Sequence, residues 1–212
     1  MTREENANYR LLRKALERAH AAGQGFHNRT ALPLRTLKAL IEEVAKFDML
    51  AAEALLLILA IGLRAVEVIH LQHLEISRER LRVRVTVGKN IQKRAHCQIR
   101  EEYVDMIEPI SPRVFRSLRK RISEREPGVR PWKECECTYL GRRLLKAAAE
   151  VGTRATTYCF RKAFVARKYL EFDGDLKKVG QALGHRSLHL CEAFYISLDE
   201  EMRASKRNRT IN

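Results

Sequence analysis

The feature that most limits how this chain can fold is an apolar segment at residues 49–63. Glu53 is the single charged residue within it. A membrane-spanning helix needs roughly 20 consecutive apolar residues, so this segment is too short to cross a bilayer. It predicts a helix that is buried in a protein core, with Gly62 marking its end or a bend. The rest of the chain must therefore pack around this helix.

Helical spacing of apolar residues continues on both sides of the buried segment. Leu37, Leu40, Ile41 and Val44 recur at intervals of three and four after Pro33, which predicts a helix there. A short helix is expected at about residues 63–70. Ser111 followed by Pro112 is a typical helix start, because serine caps the free N–H groups and proline fits the first turn. Further helices are predicted at residues 112–123, 138–151, 157–170, 176–183 and 188–196.

A period of two interrupts the helical pattern between residues 81 and 99. Leu81, Val83, Val85 and Val87 alternate with Arg82, Arg84 and Thr86, which is typical of a half-buried strand with a cationic outer face. Gly88, Lys89 and Asn90 supply turn residues, and residues 94–99 can return as a second strand. The predicted fold class is therefore mainly α with a small β-hairpin or sheet.

The charge of the chain indicates a polyanionic partner. Its 41 Lys and Arg residues against 26 Asp and Glu give a net charge of +15, and hydrophobic residues make up 45% of the sequence. This hydrophobic share argues against disorder. Residues 111–133 alone hold eight basic and two acidic residues. Charge cannot by itself choose among DNA, RNA and an anionic membrane, because the attraction to phosphates does not depend on sequence.

The N-terminus and the cysteines set the expected compartment. Residues 1–13 lack the apolar stretch of a secretory signal, so an intracellular protein with no membrane association is expected. The five cysteines include no C-x-x-C pair, which predicts neither a disulfide framework nor a four-thiolate zinc site. Cys135 and Cys137 form the one close pair and receive no role. We predict no metal site.

Several chemistry-bearing residues occur in a fixed order along the chain. Arg64 follows Gly62, and Glu67 lies three residues further on the same helical face, where it can orient the Arg64 guanidinium or the local backbone. Tyr158 and Arg161 come next. Gly184 and His185 follow a predicted helix, and Tyr195 lies ten residues beyond His185.

With these residues, the chain from about residue 30 to residue 198 resembles the catalytic domain of tyrosine recombinases, the phage-integrase family. Residues 62–67 are similar to the family's first arginine box. Gly88 and Lys89 are similar to its glycine-lysine turn, with Lys93 and Arg94 just after. The stretch from Leu183 through His185 to Tyr195 matches its Leu-Gly-His and terminal tyrosine pattern. The resemblance implies an enzyme that cleaves and rejoins DNA strands without a metal or cofactor.

The resemblance also implies a role for each matched residue. Arg64 and Arg161 would grip the scissile phosphate, since guanidinium groups bind phosphate oxygens in pairs and stay charged. Tyr195 would attack the phosphorus to form a 3′-phosphotyrosyl intermediate, and Lys89 would protonate the leaving 5′ oxygen. The expected catalytic set is Arg64, Lys89, Tyr158, Arg161, His185 and Tyr195, supported by Glu67.

The sequence departs from the family pattern at one box. Members usually carry His-x-x-Arg, whereas Tyr158 occupies the histidine position here. The alternative hypothesis is therefore a recombinase-derived protein that binds DNA but cleaves it poorly or not at all. Members place the tyrosine nine or ten residues after the histidine, and Phe194 at position nine leaves Tyr195 as the candidate. An unrelated RNA-binding protein is a third reading, which the location of the aromatics in helical stripes disfavours.

The predicted organisation has three parts. Residues 1–29 form a helical arm or linker, residues 30–198 the recombinase-like catalytic domain, and residues 199–212 a C-terminal tail. Residues 1–29 are too few for the DNA-clamping domain that family members usually carry. The expected partner is double-stranded DNA, on which the family assembles as a tetramer. The expected DNA-binding residues are Arg82, Arg84, Lys93, Arg94, Arg113, Arg116 and Lys120.

Overall fold

The computed structural model describes residues 32–71, 73–87, 96–126 and 129–184. The helices in these ranges are α1 (Leu34–Phe47), α2 (Met49–Ile61), α3 (Ala65–Val68), α4 (Val104–Ile107), α5 (Pro112–Ser123), α6 (Cys137–Glu150), α7 (Thr157–Glu171) and α8 (Leu176–Ala182). The strands are β1 (His73–Ile76), β2 (Arg80–Val87) and β3 (His96–Tyr103), and a 3-10 turn covers Glu108–Ile110.

This architecture confirms the predicted class, mainly α-helical with a small antiparallel sheet. The helix predicted at residues 112–123 has those bounds, and the one predicted at 157–170 ends one residue later. The sheet differs from a simple hairpin because β1 adds a third strand, and β3 continues past residue 99 to Tyr103. The predicted arm, the turn at 88–90, the helix at 188–196 and the tail lie outside the described residues.

The chain divides into two compact units. The larger comprises Leu34–Phe164 and holds the sheet together with most of the helices. The described part of the other consists of residues 32–33 and 165–184. In that part, Asp175 caps α8 by accepting hydrogen bonds from the backbone N–H groups of Lys177 and Lys178.

Helix α2 forms the centre of the larger unit. It contacts α1, α5, α6 and β3, and every residue from Ala51 to Ile61 is buried. The buried Glu53 accepts hydrogen bonds from Ser117 Oγ at 2.7 Å and Arg121 Nε at 2.6 Å. A buried carboxylate is tolerated when it is paired and hydrogen-bonded in this way. The apolar segment therefore forms the predicted core helix, and its one charge is balanced by α5.

The three strands pair antiparallel in the order β1-β2-β3. Leu81 and Val83 of β2 turn their side chains to the buried face, as the period of two predicts. On β3 the alternation places Arg100 and Glu102 on the buried side and leaves Ile99 exposed. Arg100 lies directly opposite Val83 in the register. The inner face of the sheet thus contains a buried cation.

Gly62 ends α2 in a conformation that favours glycine. Its φ is +68°, and its N–H donates to the Ile58 carbonyl at 3.0 Å, closing the last helical turn. A Cβ atom at this position would lie 2.2 Å from Cδ1 of Phe164. The backbone conformation and the close approach of the phenyl ring both require glycine here.

Among the described residues, no helix combines the length and the apolar character that crossing a membrane requires.

We expect Gly62→Ala to lower the free energy of unfolding by about 3 kcal/mol, because it adds left-handed backbone strain to a steric clash with Phe164. Urea denaturation followed by circular dichroism measures the change. Gly141→Ala is the matched control. Gly141 lies within α6 and has no atom near its would-be Cβ, so alanine should stabilise the protein by up to about 1 kcal/mol. Equal effects of the two substitutions would contradict the argument.

Candidate active site

Four charged side chains meet just beyond the C-terminal end of α2. They come from the residue before α3, from α3 itself, from β3 and from α7, all within the larger unit. We call them the arginine cluster: Arg64, Glu67, Arg100 and Arg161.

Glu67 fixes both the backbone and the side chain of Arg64. Its Oε2 accepts a hydrogen bond from the Arg64 backbone N–H at 2.8 Å. This is how a carboxylate in the third position of a helix satisfies a donor at the helix start. Its Oε1 accepts from Arg64 Nη1 at 2.7 Å. The i, i+3 spacing in the sequence therefore produces a defined orientation of the Arg64 guanidinium.

Arg100 and Arg161 converge on the same two acceptors. The Gly62 carbonyl accepts from Arg161 Nη1 at 2.5 Å and from Arg100 Nη1 at 3.2 Å. Oε2 of Glu67 lies 3.5 Å from Arg161 Nη1 and 3.4 Å from Arg100 Nη1. A carbonyl at the end of a helix has no partner inside the helix and can accept such donors. The end of α2 thus holds two arginines that are distant in sequence.

The cluster is largely removed from solvent. The side chains of Glu67, Arg100 and Arg161 are 1%, 3% and 7% exposed, while that of Arg64 is 32% exposed. Burial lowers the pKa of the Arg100 guanidinium, an effect that Glu67 opposes and Arg64 reinforces. Arginine nonetheless keeps its charge in proteins. The four side chains carry three positive charges and one negative charge, an arrangement suited to a phosphate anion.

Of the four remaining predicted catalytic residues, the structure describes Tyr158. Tyr158 lies on α7 one turn before Arg161 and is half-buried, with the Lys162 ammonium 5.6 Å from its ring centroid. Lys89, His185 and Tyr195 lie outside the described residues, as do Lys93 and Arg94.

Arg100 belongs to the arginine cluster but is absent from the residues that the sequence predicts. The strand that the sequence predicts ends at residue 99, so Arg100 lies outside it. A detectable signal exists, because continuing the period of two through Tyr103 groups Arg100 with Gln98 and Glu102. The contacts of Arg100 with Gly62 and Glu67 depend on the packing of β3 against α2.

The outer face of β2, which the sequence predicts to be cationic, carries ion pairs to β3. Arg82 donates to Glu101 of β3 from Nε at 3.3 Å and from Nη2 at 3.2 Å. Arg80 pairs with the same carboxylate and with the Tyr103 hydroxyl at 2.7 Å. Arg84 is exposed and lies opposite Ile99 in the register. Arg84 therefore differs from Arg80 and Arg82, which lie beside Glu101.

Helix α5 presents the other expected DNA-binding residues. Arg113, Arg116 and Lys120 are exposed, and their spacing places them on one face of the helix. Arg113 also donates to the Ala45 carbonyl at 3.4 Å, and Lys120 lies 3.9 Å from Glu124. Arg121 of the same helix instead neutralises the buried Glu53. The basic stretch at residues 111–133 therefore serves both packing and the surface.

The close cysteine pair does not converge on a common site. Cys135 is buried, and burial raises the pKa of its thiol to about 12, so it remains protonated at physiological pH. Cys137 is exposed. In the part of the chain that the structure describes, no group of three or more His, Cys, Asp or Glu side chains is placed to hold a metal ion.

We expect Glu67→Gln to lower the free energy of unfolding by about 3 kcal/mol, because three arginines around one buried site lose their shared counter-charge. Urea denaturation measures the loss. Glu101→Gln is the matched control, since it removes a carboxylate shared by two arginines on the exposed face, where ion pairs contribute less than about 1 kcal/mol. Similar losses in both variants would mean that Glu67 is not acting as a buried counter-ion.

Comparison with known proteins identifies the fold. No protein-family profile and no curated protein sequence matches this chain. Among solved structures, the crystal structure of XerA recombinase matches with a TM-score of 0.60 and 18% sequence identity. The match covers 86% of this chain and 66% of the XerA chain, just under two thirds of its length. The chain therefore has a recombinase-like fold, mainly α-helical with a small antiparallel sheet, as the sequence resemblance implies.

Proposed function

We propose that this protein cleaves and rejoins duplex DNA at a specific site as a tyrosine recombinase. The observation that carries the proposal is the arginine cluster, in which Arg64 and Arg161 contact the two oxygens of Glu67. Two guanidiniums from distant segments are thereby held beside one another in a largely buried site. The recombinase-like fold and the ordered set of Lys89, His185 and Tyr195 in the sequence support the same conclusion.

The paired arginines suit the electrostatic demand of phosphodiester cleavage. Negative charge builds up on the non-bridging phosphate oxygens in the transition state, and preorganised donors in a site of low dielectric stabilise it strongly. Arg64 is the most exposed member of the cluster, so it offers the entry side for a phosphate. Glu67 would keep both guanidiniums oriented before DNA arrives, which lowers the reorganisation that binding requires.

The covalent steps are assigned to residues by the sequence resemblance. The Tyr195 hydroxyl releases its proton to solvent as its oxygen attacks the phosphorus, the bond to the 5′ oxygen breaks, and Lys89 donates the proton that this oxygen takes up. A 3′-phosphotyrosyl bond results. The 5′-hydroxyl of a second strand then attacks the same phosphorus and returns its proton to Lys89, and the released Tyr195 oxygen takes up a proton from solvent. His185 would donate a further hydrogen bond to the phosphate.

The exposed basic residues supply a route for duplex binding. Arg84, Arg116 and Lys120 can contact phosphates that flank the cleaved one, and such contacts position the protein without reading the sequence. We propose that assembly into a tetramer takes place on DNA. The sequence resemblance supports this step.

We expect the protein to form a covalent adduct with nicked duplexes, in which loss of a short strand prevents rejoining. A library of nicked duplexes with randomised sequence supplies candidate sites, and a denaturing gel detects the adduct. Tyr195→Phe should abolish the adduct while leaving the affinity for duplex DNA unchanged, because it removes only the nucleophilic oxygen. Tyr103→Phe, which alters an exposed tyrosine of β3, is the matched control and should keep the adduct.

Two outcomes would contradict the nucleophile assignment. An adduct that persists in Tyr195→Phe would require another nucleophile. Absence of an adduct from the whole library, with duplex binding retained, would instead favour the recombinase-derived DNA-binding protein. The specific reason to keep that alternative is Tyr158, which occupies the usual histidine position one turn before Arg161.

We expect Tyr158→His to increase the rate of adduct formation by roughly 10-fold, because an imidazole can donate a hydrogen bond to phosphate and can transfer protons near neutral pH. Single-turnover kinetics on a duplex recovered from the library measure this rate. Tyr158→Phe separates the role of the hydroxyl from that of the ring. A histidine variant slower than the native protein would show that tyrosine is the functional residue at this position.

A further inference from the structure

We propose that Arg100 is a positioning residue for the phosphate site, and that it sets the placement of Arg161 and Arg64 through the Gly62 carbonyl and the Glu67 carboxylate. The inference rests on the proposed function and adds a residue to it. Arg100 lies on β3, outside the set of Arg64, Lys89, Arg161, His185 and Tyr195 that the sequence resemblance implies.

The shared carbonyl is the first part of the argument. The Gly62 oxygen has two lone pairs, and Arg161 and Arg100 each donate to it. Two donors on one oxygen constrain each other's direction, so the position of the Arg161 guanidinium depends on that of Arg100. If Arg100 were replaced, the Arg161 guanidinium could approach the Gly62 oxygen from a different direction.

The Arg100 side chain is itself held by hydrogen bonds. Its Nε donates to the Gln98 Oε1 at 2.9 Å, and its Nη1 lies at the Gly62 carbonyl. Gln98 lies two residues earlier on the same face of β3, and Val83 of β2 is the register partner of Arg100. A guanidinium that is carried by a paired strand and donates to both Gln98 and Gly62 is suited to orient its neighbours.

Burial separates a positioning role from direct contact with DNA. The Arg100 side chain is 3% exposed, whereas that of Arg64 is 32% exposed, so Arg64 can meet a phosphate where Arg100 cannot. An apolar residue would fill an inward strand position opposite Val83 at lower desolvation cost than a guanidinium. A guanidinium at this buried position is explained if it orients the neighbouring arginines.

Arg100 also changes how strongly Glu67 holds the other two arginines. Three guanidiniums compete for one carboxylate. Because Glu67 also binds Arg100, it binds Arg64 and Arg161 less strongly. Transferring their N–H donors from Glu67 to a phosphate then costs less interaction energy. Without Arg100, Glu67 would act as a stronger competitor of the phosphate for both arginines.

The test compares Arg100→Met and Arg100→Lys with Arg80→Met in the full chain. Arg80 lies on the same sheet and is also ion-paired, so Arg80→Met controls for loss of an arginine from a strand. The first measurement is the rate of adduct formation at saturating concentrations of a nicked duplex that the native protein cleaves. The second is the shift in thermal unfolding temperature that inorganic tungstate, a phosphate analogue, causes in each protein.

We expect Arg100→Met to form the adduct roughly 10- to 100-fold more slowly, the usual scale for a misplaced or unsupported functional group. Its affinity for the duplex should change little, because the proposed contacts of exposed basic residues with flanking phosphates are retained and one phosphate of many is affected. Arg100→Lys should recover part of the rate, since it restores the charge without the fork of donors. Arg80→Met should keep the native rate. Tungstate should stabilise the native protein and Arg80→Met more than Arg100→Met.

The outcomes separate this inference from the proposed function. A native protein that forms the adduct, with Arg100→Met equally fast, overturns the inference and leaves the function standing. A native protein that forms no adduct overturns the function, and the tungstate shifts then test Arg100 by themselves. Equal tungstate shifts in the native protein and Arg100→Met would overturn the inference. If Arg100→Met does not fold, Arg100→Lys decides, because a rate and a tungstate shift equal to the native values exclude a role for the guanidinium.

Discussion

The arrangement of the site depends on how α2 ends. Gly62 takes a left-handed conformation against the ring of Phe164, which frees its carbonyl from the helix and leaves it as an acceptor. Arg100 and Arg161 both donate to that oxygen, and α3 begins directly after it with Arg64 and Glu67. A single turn after the core helix therefore determines where four charged side chains meet. Because residues 51–61 of α2 are buried, this turn is attached to the core of the larger unit.

Two buried carboxylates in this unit differ in the number of arginines that each one contacts. Glu53 within α2 is matched by Arg121 and Ser117, and this balanced pairing satisfies a polar group inside the core. Glu67 instead serves three arginines, so the group around it is positive as a whole. A buried carboxylate that is paired and hydrogen-bonded in this way is compatible with folding. Under the proposed function, a DNA phosphate adds negative charge beside these three arginines.

The sheet shows why a strand's charge cannot be judged from that strand alone. Arginines on the outer face of β2 meet Glu101 of β3 through the antiparallel register, and the two strands together carry less positive charge than β2 does. On the inner face the same register brings Arg100 opposite Val83 and towards the end of α2. A register shifted by one residue would exchange these faces. The pairing of β2 and β3 thus controls both the surface charge and the membership of the arginine cluster.

The sequence by itself determined the buried core helix, its end at Gly62, the mainly α-helical class and the pairing of Arg64 with Glu67. These features are local, because helical and strand periodicity and the i, i+3 spacing act within a few residues. Tertiary structure alone decided that Arg100 and Arg161 share the Gly62 carbonyl, that Arg121 neutralises Glu53, and that Glu101 pairs with Arg82. In each case the partners lie far apart in the chain. Local patterns specify which face of an element is polar, whereas the packing of distant elements specifies which polar groups meet.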